Sequence, residues 1–156
     1  MLRQINRLLC FHEIQVDVEF FLIFNLVRQV EYFLGIIMKL LAGISVLVVA
    51  ALHVAFLVLE MFFWTDPIGH QVFSTTPEMA ASSAVLAANQ GLYNGFLTAG
   101  LLWGLMRVNR EFILFFLACV MVAGVYGSIT ASATILYVQA APALIAFLLN
   151  MRKWGE

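Results

Sequence analysis

From Leu40 onward the chain alternates long apolar runs with short polar interruptions, and that alternation predicts four membrane-spanning helices. Leu40–Trp64 is a run of 25 residues in which only His53 and Glu60 are ionisable. An α-helix needs about 20 apolar residues to cross a hydrocarbon core roughly 30 Å thick. Thr65–Met79 follows as a polar connector carrying Pro67 and Pro77. Ala80–Met106 holds the second span, Arg107–Glu111 a charged turn, and Phe112 to about Gly127 the third span. Gly127–Thr134 reads as the third connector, and Ser132–Asn150 as the fourth span with Pro142 inside it. In the outer connector, Thr65–Gly69 reads as a turn because Asp66 and Pro67 stand at favoured turn positions. Pro77-Glu78 has the chemistry of a helix start.

Residues 1–37 follow another pattern. Phe20–Ile37 is apolar, but Asn25, Arg28, Gln29, Glu31 and Tyr32 recur at spacings of three and four. This polar stripe predicts an amphipathic helix lying in the cytoplasmic interface. A fifth span, or an extension upstream of a natural start at Met38, are the alternatives. Arg3 and Arg7 could open a signal peptide, but His12, Glu13, Asp17 and Glu19 interrupt the apolar stretch that would have to follow. The chain thus divides into an N-terminal extension, 1–37, and a four-helix domain, 38–156.

Charge sets the direction of the spans. Lys39, Arg107, Arg110, Arg152 and Lys153 all fall at one side, and the connectors after spans one and three carry no Lys or Arg. The positive-inside rule then puts both termini in the cytoplasm. Trp64 suits the outer interface, and Trp103 and Trp154 the inner one. Composition agrees with a membrane class: 63% of residues are hydrophobic and 11% charged, against about 25% charged in soluble domains. A net charge of -1 leaves no nucleic-acid footprint. Cys10 and Cys119 read as unpaired, and no metal or redox spacing occurs.

Small and polar residues inside the spans narrow the picture. Gly91, Gly95 and Ala99 share one face of the second span, and Gly100 and Gly104 another. Ala123 with Gly127 and Gly124 with Ser128 repeat the spacing in the third. Such residues let backbones approach closely in lipid, so the second span should touch neighbours on two sides. Separately, small bundles of this kind often work as oligomers, and a homo-oligomer, a dimer, is expected.

His53 and Glu60, two helical turns apart, share a face. At ~1.5 Å per residue, Glu60 falls roughly 6 Å and His53 some 16 Å below the outer interface. Asn89, Gln90 and Asn94 of the second span fall at roughly 10–20 Å, with Gln90 and Asn94 on one face. Tyr126, Tyr137 and Gln139 belong to the same outer half. Ionisable groups in lipid are expensive and point to function. One reading is an outward-facing pocket built on His53, Glu60, Asn89, Gln90 and Asn94 for a small polar ligand, ion or proton. The other is a hydrogen-bond network that only fixes helix register. A metal site from His53, Glu60, Asp66, His70 and Glu78 has suitable ligand types but no known ligand spacing.

The strings Leu59–Gly69 (LEMFFWTDPIG) and Leu86–Leu97 (LAANQGLYNGFL), with Phe73 between them, resemble the domain-of-unknown-function 1304 family. The resemblance covers about Met38 to Arg152. It implies a small four-helix protein of a bacterial inner membrane and carries no established activity. Some members bear an epimerase label, but this chain has no glycine-rich nucleotide loop and no Tyr-xxx-Lys pair. The expectation is an all-α, four-helix transmembrane bundle, N-in and C-in, that lies in the lipid bilayer and binds or transports a small polar molecule or ion. A structural accessory subunit is one alternative. A membrane enzyme using Glu60 or His53 as general acid-base is the other. No catalytic residue, metal site or cofactor is assigned.

Overall fold

The computed structural model describes the backbone of residues 2–152 and the side chains from Glu19 onward. Lys153 and Trp154, and the side chains of Arg3, Arg7 and Cys10, lie outside the described residues. The fold is all-α. Its five α-helices among the described residues are α1 (Leu2–Phe62), α2 (Pro67–Phe73), α3 (Pro77–Met106), α4 (Arg110–Thr130) and α5 (Ala141–Met151). A π-helical stretch, Leu136–Ala140, leads into α5. By length and composition, α1 over Glu19–Phe62 (44 residues) and α4 (21 residues) can cross a membrane. Helix α3 has the length, 30 residues, but Asn89, Gln90 and Asn94 dilute its apolar character.

Among the described residues, the chain up to Lys39 forms one compact unit and the chain from Leu40 onward another. In the first, Phe20, Phe21, Leu22, Ile23 and Phe24 are all exposed. Five successive residues cover more than a full turn, so α1 is apolar on every side there. Asn25 Nδ2 donates to the Phe21 carbonyl at 2.8 Å, and the Arg28 guanidinium stands 6.0 Å from the Phe24 ring centre.

In the second unit four helices surround one apolar core. Val46, Val49 and Ala50 of α1, Leu101 of α3, Ile113, Leu117 and Val120 of α4, and Ala143 and Ala146 of α5 meet there. Small residues set how closely the helices approach. A Cβ on Gly91 would stand 2.6 Å from Met61 Cγ of α1, and one on Gly95 2.8 Å from Leu57 Cδ1. A Cβ on Gly100 would collide with the Phe116 ring of α4, and one on Gly104 would lie 2.7 Å from Ile113. Helix α3 is therefore wedged between α1 and α4 by two glycine faces. A Cβ on Gly124 of α4 would stand 2.8 Å from the Ala140 backbone nitrogen. Cys119 of α4 is a free thiol.

Several boundaries differ from the sequence expectation. Asp66-Pro67 starts a helix rather than a turn, with Asp66 at the N-cap of α2 and Pro67 in its first turn. The two roles use the same residues, because Pro at N1 needs no backbone donor. Helix α4 continues through Gly127 to Thr130, so the third connector is shorter than Gly127–Thr134. Pro142 does not break the last helix. It lacks the N–H that would reach back four residues, and the turn before it widens: the Ala141 N–H donates to Leu136 five residues back.

Other ends are built as the residues dictate. Pro77 opens α3, capped by the Thr76 hydroxyl, which accepts from the Met79 N–H at 3.3 Å. Glu78 sits in that first turn, where a negative side chain suits the positive end of the helix. Between α3 and α4 the Val108 N–H donates to Leu105 and the Asn109 N–H to Gly104, the Schellman pattern. Its left-handed position is filled by valine at φ 50°. Asn109 then caps α4, accepting from the Phe112 N–H at 3.0 Å. Arg110 donates from Nε to the Asn150 carbonyl at 2.6 Å and from Nη2 to the Met151 carbonyl, closing the end of α5.

Candidate functional site

The buried face of α1 runs through Ala42, Val46, Val49, Ala50 and His53, at spacings of three and four. Glu60 continues that stripe seven residues on, ~10.5 Å further along the helix. The facing stripe of α3 is Ala87, Gly91, Asn94, Thr98 and Leu101. Glycine at position 91 lets α1 come close enough for the side chains on either side to meet. Asn94 Nδ2 donates to Glu60 Oε2 at 2.7 Å. One turn deeper the Thr98 hydroxyl donates to the Ala50 carbonyl at 3.3 Å. Thr98 completes the polar strip, and the sequence reading had passed over it. Its spacing of four from Asn94 was the available signal.

His53 is 1% exposed. Its Nδ1 lies 2.9 Å from the Val49 carbonyl. A carbonyl only accepts, so Nδ1 carries the proton. In the neutral ring Nε2 is then a lone-pair acceptor, and it has no partner among the described residues. Phe56 stands edge-on to the ring at 5.8 Å. The strip from His53 to Glu60 therefore offers mainly acceptors: the imidazole Nε2, the second carboxylate oxygen of Glu60 and the Asn94 carbonyl oxygen.

The structure does not bring together every residue that the sequence grouped. Asn89 and Gln90 are exposed. Gln90 was expected beside Asn94. The contact stripe instead steps from 87 to 91 to 94, and α1 enters on the Gly91 side, which turns Gln90 outward. Tyr126 and Tyr137 are 69% and 71% exposed and point away from the strip. Gln139 Nε2 reaches the Val120 carbonyl at 3.4 Å, tying the π-helical stretch to α4. The grouping of His53, Glu60, Asp66, His70 and Glu78 as metal ligands does not form. Among the described residues no three His, Cys, Asp or Glu side chains converge on a point.

Above Glu60, α2 folds over the end of α1. Gly69 touches the Phe63 carbonyl so closely that no side chain fits there. The Trp64 indole donates to Ser83 Oγ at 3.1 Å and meets the Phe73 ring at a tilt, the ring centres 4.9 Å apart. His70 Nε2 and the Thr75 hydroxyl are enclosed by this cap without partners among the described residues.

A family model described as a protein of unknown function, DUF1304, matches residues 47–151, which include His53, Glu60, Asn94 and Thr98. No curated protein and no solved structure matches the chain.

Proposed function

The chain belongs to the DUF1304 family, and because that description assigns no activity, we propose from its own geometry that it is a four-span inner-membrane protein, both termini cytoplasmic, with an intramembrane polar site for a small polar molecule or ion. The spans are α1 from Leu40, α3, α4, and the π-helical stretch with α5. Basic residues at Lys39, Arg107, Arg110 and Arg152 support the orientation. The site consists of Glu60, Asn94 and His53, reached from the α2 side.

The observation that carries this reading is the unpartnered His53 Nε2 in a nearly inaccessible ring, in line with a carboxylate held by a carboxamide. A network serving register alone would leave no acceptor idle at that cost, about 1–3 kcal/mol. The Glu60–Asn94 bond itself favours a second reading, in which the pair only locks α1 to α3 as part of a structural subunit.

The two separate in Glu60→Gln. Glutamine still accepts from Asn94 but cannot hold a charge or a proton. The purified full chain in liposomes is assayed for flux of protons, Na⁺, K⁺ and methylammonium, with unfolding followed in parallel. The site reading expects flux of one probe, abolished in Glu60→Gln with stability kept. Absence of flux and of binding for all four probes in the wild-type chain leaves the register reading in possession.

A further inference from the structure

We propose that the outer half of α3 is the contact face of a symmetric dimer, in which Asn89 and Gln90 pair with the same carboxamides of a second copy of this chain. This dimer rests on α3 being a membrane span. Asn89 and Gln90 lie within three residues of the midpoint of Pro77–Met106. Both are exposed, and among the described residues neither side chain makes a hydrogen bond. At that depth a carboxamide turned to lipid leaves its donors and acceptor unsatisfied.

The geometry shows that this face is left open rather than covered from within. Asn89 and Gly100 are eleven residues apart, three turns and about 20°, so they lie on one line along α3. At the Gly100 end that line is closed by Phe116 of α4. At the Asn89 end α4 no longer covers it: Leu86 is 71%, Tyr93 58% and Phe96 57% exposed. The uncovered face thus has two carboxamides at its centre and apolar side chains one turn above and below.

A second copy fits this face for two reasons. A carboxamide carries both donors and an acceptor, so it complements itself. Two copies inserted the same way around a twofold axis along the membrane normal put each residue at the same depth as its counterpart. Asn89 and Gln90 therefore meet carboxamides, and Leu86 and Tyr93 meet the apolar residues beside them. Lipid tails satisfy neither requirement.

The test is disulfide cross-linking of the full chain in native membranes, with Cys10 and Cys119 replaced by serine. Leu86→Cys and Tyr93→Cys should each cross-link to themselves, while Ile145→Cys on exposed α5 should not. Asn89→Leu combined with Gln90→Leu should weaken dimerisation by about tenfold or more, measured by dilution in detergent micelles. Cross-linking at 86 and 93 no greater than at 145 overturns the dimer, as does a dimer that the double variant leaves unchanged. Reaction of the cysteines at 86 and 93 with a membrane-impermeant maleimide as fast as one at Val108 overturns the span reading, and the dimer with it. Protected cysteines that fail to cross-link overturn the dimer alone.

Discussion

The Glu60–Asn94 bond makes a quantitative prediction that needs no knowledge of a ligand. Asn94 is 5% exposed, and its 2.7 Å bond to Glu60 is the only hydrogen bond between side chains of α1 and α3 among the described residues. Asn94→Leu leaves a half-buried carboxylate oxygen without its donor, and Glu60→Leu leaves a buried amide without its acceptor. Each loss should cost about 1–3 kcal/mol. The double variant removes both unmet groups and should cost less than the sum. The coupling energy should be about 1 kcal/mol, between the ~0.6 average and ~1.7 maximum of interhelical pairs in a membrane protein. Glu60→Gln keeps an acceptor and should change stability by no more than about 0.5 kcal/mol. Reversible unfolding in mixed detergent micelles, followed by tryptophan fluorescence, measures all four. A coupling below about 0.3 kcal/mol would refute the bond, and with it the juxtaposition of α1 and α3 on which the site rests.

Packing and caps give further expectations, all readable by the same unfolding measurement. Gly124→Ala should destabilise by about 2 kcal/mol or more, because the atoms it meets are the Ala140 backbone and cannot swing aside. Gly43→Ala, with nothing within 4 Å of its Cβ, should be neutral or stabilising by up to ~1 kcal/mol through helix propensity. Val108→Gly should stabilise by about 1 kcal/mol, since a branched side chain at φ 50° is strained and 88% exposed. Arg110→Ala should cost about 1–2 kcal/mol by leaving the Asn150 and Met151 carbonyls without their donor.

Much of the architecture was legible because it rests on local chemistry. The apolar runs located the helices, Pro77 with Glu78 marked the start of α3, and the two glycine pairs marked its two packing faces. The shared face of His53 and Glu60 followed from helical period alone. What escaped depended on which side a neighbour approaches. Gln90 and Gly91 are one residue apart, and only the arrival of α1 at Gly91 decides that Gln90 faces out. The Asp66-Pro67 pair fits a turn and a helix start equally well until the next turn packs, as Gly69 does on the Phe63 carbonyl. The π-helical stretch before Pro142 is a response to a missing N–H. Sequence shows the proline, but not whether the chain breaks or widens around it.

Whether Glu60 belongs to a polar site open to the outer face is decided by cysteine accessibility. In intact cells Glu60→Cys should react with a membrane-impermeant cationic thiosulfonate added outside, while Ile44→Cys on the exposed side of α1 should not. Equal lack of reaction at both positions, in a protein that is inserted and folded, would contradict the site.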